Sequence, residues 1–346
     1  MASTLVGLEI TEESVRAVEI RRGKAPVIIA AGEIALPQEA ARDSEVVDRD
    51  VVAMALRQLW STFGIKGREV TLGVGSRRIL VREYTTQAMA PEMLRQALPY
   101  QVQDLLPVPA NQAVLDFYPV SRTGDQVSGL LVAAVADTIE QLITTTSRAK
   151  LKTGAVDLVP FGLARIAKRV AVAGDTIAVI HIGDHTSHVV IATDGVPHFV
   201  RIIPADVATA AVRRRDEALM GAVEAPIEEL ALQTVPPMPT AVTRTRAAIR
   251  TGGASDASVA DLVSRIRSTV SFFTNRPGAP RISAVVVSGA GFLAPGVQEA
   301  LSRSFDIPVQ GLQVTDVVKI RSGLVLPEEL AFNAVSTLGI LLGEGN

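Results

Sequence analysis

Two polar turns, one in each half of the chain, contain the side chains best suited to chemistry. Glu12 and Glu13 follow an apolar run at 5–10, and Gly183 and Asp184 follow a second apolar run. A turn that holds a polyphosphate needs small residues whose backbone N–H groups reach the phosphates, and a carboxylate for the waters of a magnesium ion. The carboxylates are present, but two of them about 4–6 Å from a phosphate chain would repel it. The turns therefore predict weak binding of a nucleotide or none.

The histidines form a second candidate group, because all four lie around the second turn. They are His181, His185, His188 and His198. Imidazole is a common metal ligand, and Asp184 could add an oxygen ligand. Strand alternation sends neighbouring side chains to opposite faces, so the sequence does not require these histidines to converge. A metal site and a set of partly exposed hairpin residues both fit the pattern, and the metal ligands stay unknown.

A glycine-rich turn near the end of the chain is a third candidate. An apolar run at 284–287 leads into Ser288, Gly289, Ala290 and Gly291, and a predicted helix at 297–305 follows. Small residues there would let the backbone approach a ligand at a helix N-terminus. The spacing also matches the dinucleotide pattern of Rossmann folds, but that pattern expects an acidic residue about 20 residues later, and 308–310 offers none. A tight strand-to-helix turn without a ligand is the alternative.

The composition excludes several functional classes. The 346 residues include no cysteine, which rules out disulfides, thiol catalysis, zinc–cysteine sites and iron–sulfur clusters. Lys and Arg number 34 and Asp and Glu number 36, so the net charge of −2 gives no positive field for nucleic acid. No apolar run reaches the roughly 18 residues of a membrane-spanning helix. The N-terminus lacks a signal-peptide pattern, and no Gly-x-Ser-x-Gly motif of hydrolases occurs. We expect a soluble cytosolic protein without a hydrolase triad.

A shift of 172 residues aligns the two halves of the chain. It places 5–10 on 177–182, Ser14 on Thr186, Val18 on Val190 and Gly23 on Gly195. Each half then has an apolar strand, a polar turn, a second strand and a Gly turn, followed by helical patterns such as 51–63 and strands such as 70–74. This order predicts a duplicated α/β fold in which the two polar turns face each other across a cleft. Chance alignment of apolar hairpins is the alternative.

Several short stretches resemble a known family in their order and spacing. They are 7–10 with 15–19, 100–107 continuing through 115–117, Ile182 and Gly183 with Thr186, the loop 288–296, and the closing helix around 331–334. In these features the chain resembles the actin-like ATPase superfamily and, more closely, the PilM family of type IV pilus assembly platform proteins. The division protein FtsA is similar at a greater distance. The resemblance implies an α/β, actin-like (ribonuclease H-like), duplicated two-lobe fold with an inserted FtsA-type subdomain.

The resemblance also implies how the chain is divided. Residues 1–76, with 154–173 and 326–346, would form the first actin-like lobe, and residues 77–153 an inserted peptide-binding subdomain. Residues 174–325 would form the second lobe, with an insertion at about 206–282. Within that insertion, 233–257 contains a Pro-rich run and two adjacent glycines but little apolar periodicity, which predicts a long loop.

By the same resemblance, the three turns would bind ATP with Mg²⁺. The implied ligands are Glu9, Thr11, Ser14 and Arg16 in the first turn, Gly183, Asp184 and Thr186 in the second, and Gly289 and Gly291 in the third. The sequence departs from the family pattern where Glu12 and Glu13 replace small residues, and where His181 replaces the acidic residue before Ile-Gly. We therefore expect weak or vestigial ATP binding, and we assign no catalytic residue. An active actin-like ATPase, and charged turn residues that are merely solvated, are the alternatives.

The segment 91–106 predicts an amphipathic helix that begins at Pro91 and ends before Pro107. In the PilM family, the subdomain around this helix resembles a receptor for the N-terminal cytoplasmic peptide of PilN, a membrane-anchored pilus component. The implied contact residues are Arg95, Tyr100, Gln101, Pro107 and Asp116. An apolar floor with a few polar clamps would suit a peptide. An ordinary amphipathic surface helix is the alternative.

Taken with the resemblance, these features predict a cytoplasmic scaffold of type IV pilus assembly, peripheral to the inner membrane through its partners. The expected partners are a PilN-like N-terminal peptide and the pilus motor and platform proteins. Nucleic acid is not expected as a partner, and the membrane is contacted only through other proteins. An FtsA-like, filament-forming cytoskeletal protein is the alternative function.

Overall fold

The structure is a computed structural model that describes residues 4–204, 206–215 and 256–343. The strands are β1 (Thr4–Ile10), β2 (Ser14–Arg21), β3 (Val27–Ala35), β4 (Ala41–Arg42), β5 (Glu45–Val46), β6 (Glu69–Val74), β7 (Leu80–Gln87), β8 (Ala113–Thr123), β9 (Gln126–Val135), β10 (Lys152–Leu158), β11 (Thr176–Ile182), β12 (Thr186–Thr193), β13 (Val196–Pro204), β14 (Ile282–Ser288), β15 (Val309–Gly311) and β16 (Lys319–Ile320). The helices whose limits fall within the described residues are α1 (Arg49–Phe63), α2 (Pro91–Gln101), α3 (Ala136–Arg148), α4 (Val159–Val170), α5 (Asp256–Thr274), α6 (Val297–Ser304), α7 (Val314–Val317) and α8 (Glu328–Gly339). None of the helices in the described ranges combines the length and the apolar character needed to cross a membrane.

Each half of the chain builds a core sheet with the same strand order. The order is β10-β6-β1-β2-β3 in the first half, where the short β16 adds to β3, and β15-β14-β11-β12-β13 in the second. In both sheets the first strand of the repeat pairs antiparallel with the second strand and parallel with its other neighbour. The 172-residue shift places β1 on β11 and β2 on β12 residue for residue. The predicted duplicated, two-lobe α/β fold is confirmed.

Helices α4 and α8 lie between the two sheets and join them in one apolar core. Helix α4 follows β10 of the first lobe but packs on α8 and on β12 of the second lobe, whereas α8 also packs on β2 of the first. The two helices approach closely because they cross at glycines: a Cβ on Gly339 would lie 2.6 Å from the backbone of Gly162. Helices α1 and α3 cover the outer face of the first sheet, and α5 and α6 cover that of the second. Helices and sheets therefore alternate in five layers.

A separate antiparallel sheet of order β7-β9-β8, together with α2, forms what we call the inserted unit (residues 80–135). Leu98 and Val102 are buried against Leu131 of β9 and hold α2 on one face of this sheet. The helix predicted at 91–106 is shorter, since α2 ends at Gln101 and a 3₁₀ turn follows at Gln103–Leu105. Pro99 lies within the last turn of α2 and lacks the N–H that would donate to the carbonyl of Arg95, so it weakens the helical ladder there.

Three elements correct the predicted limits of the subdomains. Helix α3 lies within 77–153 but packs on α1 of the first lobe, and β16 lies within 174–325 but pairs with β3 of the first sheet. Helix α5 lies within 206–282 but covers the second sheet as α1 covers the first. The sequence missed these points because an amphipathic helix has the same period whether it packs on a lobe or in an insertion. The predicted loop 233–257 lies outside the described residues, except for its last two, which begin α5.

Candidate functional site

The turns between the first two strands of each lobe meet across the cleft. Glu13 lies directly before β2 and His185 lies directly before β12, so the two residues occupy equivalent positions of the repeat. The Nε2 atom of His185 lies 2.7 Å from Oε1 of Glu13. Contact between equivalent positions is what a two-fold relation between two units produces. The duplicated fold therefore brings together an acidic and a basic side chain from opposite lobes.

Further charged groups surround this contact. Oε2 of Glu13 lies 2.6 Å from a guanidinium nitrogen of Arg215, and Nδ1 of His185 lies 2.7 Å from Oδ1 of Asp206. Oε1 of Glu12 lies 3.7 Å from Nε2 of His185. The Glu13 side chain is only 1% exposed, so its charge is balanced by protein groups rather than by water. We call these five residues the cleft cluster.

The surroundings of His185 favour its charged form. Burial alone would lower the pKa of this imidazole, but the hydrogen bonds to Asp206 and Glu13 outweigh burial and raise the pKa to about 10. The carboxylate of Glu12 acts in the same direction. In the absence of another cation, His185 is therefore protonated at neutral pH and forms an ion pair with Glu13.

The four ATP ligands implied for the first turn are bonded to protein groups. Arg16 lies 3.9 Å from a carboxylate oxygen of Glu9 and 3.8 Å from one of Glu33. The hydroxyl of Ser14 donates to Glu33 at 2.6 Å, and the backbone N–H of Ser14 donates to the hydroxyl of Thr11 at 3.1 Å. Glu9 and Arg16 are both almost fully buried. The structure thus brings these four residues together in a network in which one guanidinium faces two carboxylates.

The second turn is closed in a similar way. The backbone N–H of Gly183 donates to the carbonyl of Thr186 at 3.0 Å, and a Cβ on Gly183 would lie 2.9 Å from that same oxygen. Asp184 accepts a hydrogen bond from the hydroxyl of Thr209. Loss of solvation raises the pKa of Asp184 to about 6, although the bond from Thr209 opposes the rise. Asp184 therefore lies near the cleft but carries its negative charge less readily than an exposed aspartate.

The histidines do not converge on one point. His181 and His188 are opposite each other on β11 and β12, with ring centres 6.1 Å apart, but His181 bonds to Ser288 and His188 to the carbonyl of Gly75. Burial lowers the pKa of His181 well below its usual value and that of His188 to about 4, so both rings are neutral. The structure therefore does not bring His181, His185 and His188 together as ligands of one metal ion.

The glycines of the third turn are required by packing. Gly289 has φ of 87°, and a Cβ there would lie 2.2 Å from the carbonyl oxygen of Ile182; a Cβ on Gly291 would lie 2.3 Å from the Ile182 side chain. The N–H of Ala290 donates to Oδ1 of Asn333 at 2.7 Å. Neither glycine lines the cleft. The backbone of this turn therefore packs closely against the end of β11, where the sequence predicted a close approach to a ligand.

The described residues that line this cleft leave little space and little free positive charge. The cleft has a volume of about 60 Å³, and one water needs roughly 10–15 Å³ of such space, so it accommodates a few waters. Its acidic lining residues are Glu9, Glu12, Asp43, Glu45 and Asp184, and its arginines are Arg16 and Arg78. Both arginines already pair with lining carboxylates. Phosphates would thus meet repelling charges without a free arginine among the described lining residues.

The residues implied for peptide binding fall into two groups. Arg95, Tyr100, Gln101 and Pro107 are exposed on or next to α2, and Tyr100 is 84% exposed. At about 100° per residue, Arg95 and Tyr100 lie about 140° apart around the helix, so they do not share one stripe. Gln101 already accepts a hydrogen bond from Thr86 at 3.0 Å. The stripe opposite the buried face therefore contains Tyr100 without the other predicted residues.

Asp116 lies on the other side of the inserted unit. Its neighbours Leu115 and Phe117 belong to the apolar cluster beneath α2, and alternation along β8 turns Asp116 to the opposite face. The next residue on that face, Tyr118, has its ring 5.0 Å from that of Phe161 in α4. The structure therefore does not bring Asp116 together with the predicted residues on α2.

Sequence reasoning missed Glu33, Asp206, Thr209 and Arg215, because each acts on a residue far away along the chain. One signal could have found the central contact. The 172-residue shift aligns Glu13 with His185, and a two-fold relation between the lobes brings aligned turn residues together. A residue pair of opposite charge at aligned positions of a repeat thus predicts a contact between the lobes.

Comparison with known proteins agrees with this architecture. The chain matches a family model described as type IV pilus assembly protein PilM over residues 7–202. It is similar to a solved PilM–PilN type IV pilus biogenesis complex, at 19% identity and a TM-score of 0.75, over 98% of this chain and 97% of that one. It is also similar to ethanolamine utilization protein EutJ from Carboxydothermus hydrogenoformans, at 14% identity and a TM-score of 0.51, over 98% of this chain and 89% of that one. No curated protein matches. The common fold is actin-like.

Proposed function

The chain belongs to the family of type IV pilus assembly protein PilM, and from that membership we propose that it is a scaffold which binds the N-terminal cytoplasmic peptide of a PilN-like membrane partner. The proposed location is the cytoplasmic side of the inner membrane, where partners, including the pilus motor and platform proteins, hold it. The inserted unit is the proposed peptide-binding part. The similar PilM–PilN complex supports a partner of this kind.

The observation that carries the proposal is an exposed apolar stripe on α2. Met93 is 62% exposed and Tyr100 is 84% exposed, and a spacing of seven residues places them on the same side of the helix. Leu98, on the opposite side, is 2% exposed and fixes the helix to its sheet. The stripe is therefore held rigidly and faces solvent. A large aromatic and a flexible thioether that face solvent are typical of protein contact surfaces.

A short peptide suits this stripe better than a flat protein surface does. Tyr100 can cover an apolar side chain and still offer its hydroxyl, and Met93 adapts its shape to the neighbouring one. Arg95 lies off the stripe, about 140° around α2 from Tyr100, and its proposed role is to attract an acidic group of the peptide as it approaches. Most of the binding energy is expected from Tyr100, because a few aromatic anchors usually dominate an interface.

The test is a titration of a PilN-type N-terminal peptide against the wild-type chain and three variants. Tyr100→Ala and Met93→Ala should each weaken binding by about tenfold or more, which corresponds to about 1.4 kcal/mol. Val325→Ala is the matched control, since Val325 is 85% exposed but lies outside the inserted unit. Equal affinities of wild type, Tyr100→Ala and Met93→Ala would refute the proposed surface.

We further propose that ATP binding is weak or vestigial in this chain. The charge pairs of the cleft and the two carboxylates of the first turn support this, because they occupy the positions where phosphates would need free cations. A calorimetric titration with ATP, with and without Mg²⁺, should give at most weak heat of binding. Tight binding, or hydrolysis that Glu9→Ala or Asp184→Ala abolishes, would identify an active ATPase instead.

A further inference from the structure

Three side-chain atoms from the two polar turns point to one place in the cleft. Nε2 of His185 lies 3.7 Å from Oε1 of Glu12 and 2.7 Å from Oε1 of Glu13. The three residues offer ligand atoms that all lie within 4.8 Å of one another. The carboxylates come from the first lobe and the imidazole from the second. Glu13 and His185 are at most 9% exposed, so bulk water has little access to their charges. We infer that a divalent cation of the zinc class binds at these three residues and bridges the lobes.

Each of the three side chains is held by a second partner at its other polar atom. Asp206 accepts a hydrogen bond from Nδ1 of His185 at 2.7 Å, Arg215 lies 2.6 Å from Oε2 of Glu13, and the N–H of Asp43 donates to Oε2 of Glu12 at 3.1 Å. A carboxylate on one ring nitrogen leaves the lone pair of the other free for a metal, and such outer partners fix the orientation of metal ligands. This arrangement distinguishes the cleft cluster from a chance group of acidic residues.

The two carboxylate ligands favour a cation at this point. Glu12 and Glu13 each bring a negative charge close to Nε2 of His185, and the Glu13 side chain is almost fully buried. Buried charge is costly unless it is compensated, so the ion would stabilise the closed cleft.

The ligand types favour zinc over magnesium. Imidazole nitrogen suits zinc and its transition-metal neighbours, whereas magnesium prefers oxygen ligands in a strict octahedron and keeps several waters. One nitrogen and two carboxylate oxygens, with a water as fourth ligand, make a four-coordinate zinc site. Zinc would take the place of the proton on Nε2 of His185. This inference does not depend on peptide binding by α2, and each can fail without the other.

The experiment uses the full chain, freed of metal by a chelator and then dialysed. Calorimetric titration with zinc chloride should show one ion per wild-type chain, and cobalt(II) should give a visible absorption band at the same stoichiometry. His185→Gln and Glu13→Gln should weaken zinc binding more than 100-fold. Asp206→Asn should weaken it about 10- to 100-fold, since it removes only the partner of a ligand. His198→Gln is the matched control, because His198 bonds to Thr193 away from the cleft.

Circular dichroism and thermal unfolding without metal show which variants fold. Asp206→Asn is the decisive variant if a cleft substitution prevents folding, because the Asp206 side chain is 73% exposed and its substitution removes no buried group. No saturable zinc binding by the wild-type chain would overturn the inference. Zinc binding that Asp206→Asn, His185→Gln and Glu13→Gln leave unchanged would also overturn it, because the ion would then bind elsewhere on the surface.

Discussion

The cleft and the inserted unit differ in which side chains they bury and which they expose. In the cleft, acidic and basic groups are buried and satisfy one another, as Glu13 does with His185 and Arg215. On the inserted unit, α2 buries Leu98 and exposes Met93 and Tyr100. The two facing turns thus stabilise the contact between the lobes, while the inserted unit offers the exposed surface. Substitutions in the cleft should therefore change stability, and substitutions on α2 should change binding.

The largest effect is expected at Glu13. Glu13→Ala leaves the buried His185 and the partly buried Arg215 without their shared carboxylate. Breaking a buried pair on one side costs about 3–5 kcal/mol of unfolding free energy. Urea unfolding of the metal-free chain measures this loss. The exposed pair of Lys152 with Glu69 is the control, since its side chains are 74% and 64% exposed, and Lys152→Ala should cost no more than about 1 kcal/mol. Equal losses for the two variants would remove the distinction between cleft and surface.

The second-largest effect is expected at His188, whose contribution to stability depends on pH. Its pKa is about 4 in the folded chain, lowered by burial, against 6.5 in the unfolded chain. Between these values the unfolded chain binds more protons, so stability is complete above pH 6.5 and falls as the pH drops towards 4. At about 1.4 kcal/mol per pKa unit, this one histidine removes about 3 kcal/mol over that window. His181, which faces His188, adds a loss in the same direction.

Urea unfolding at several pH values tests this contribution. His188→Gln keeps a donor for the carbonyl of Gly75 but cannot titrate, so its stability should fall less steeply between pH 6.5 and 4 than that of the wild type. Val190→Ala is the matched control on the same buried strand, because it lowers stability without removing a titratable group. Parallel pH profiles for wild type and His188→Gln would show that His188 is not held neutral in the cleft.

The fold could be predicted from local patterns. Apolar runs separated by polar turns defined the paired strands, and their recurrence after 172 residues gave the two lobes, because both signals lie within short stretches of chain. The predicted ends of the helices and strands were less accurate. Helix α1 begins at Arg49, earlier than the apolar pattern at 51–63, because the side chain of Asp48 accepts from the N–H groups of Asp50 and Val51.

The chemistry of the site could be predicted only in part. The acidic character of the first turn followed from Glu12 and Glu13, but the partners of Glu13, His185 and Arg215, lie more than 170 residues away and leave no local signal. For the same reason, the loop around Gly289 resembles a ligand-binding loop in its sequence. Position 289 requires glycine because a side chain there would clash with Ile182. Residue type therefore indicated where chemistry could occur, and the fold decided which groups neutralise each other.

The smallest effect is expected at Tyr100. Tyr100→Ser removes a ring that is 84% exposed, and such a substitution normally changes the unfolding free energy by no more than about 0.5 kcal/mol. Urea unfolding of this variant should coincide with that of the wild type, even though the peptide titration separates them. A loss above about 1 kcal/mol would mean that Tyr100 packs within the molecule's own core. The exposed stripe on α2 would then be part of the fold, and the inserted unit would resemble the cleft instead of contrasting with it.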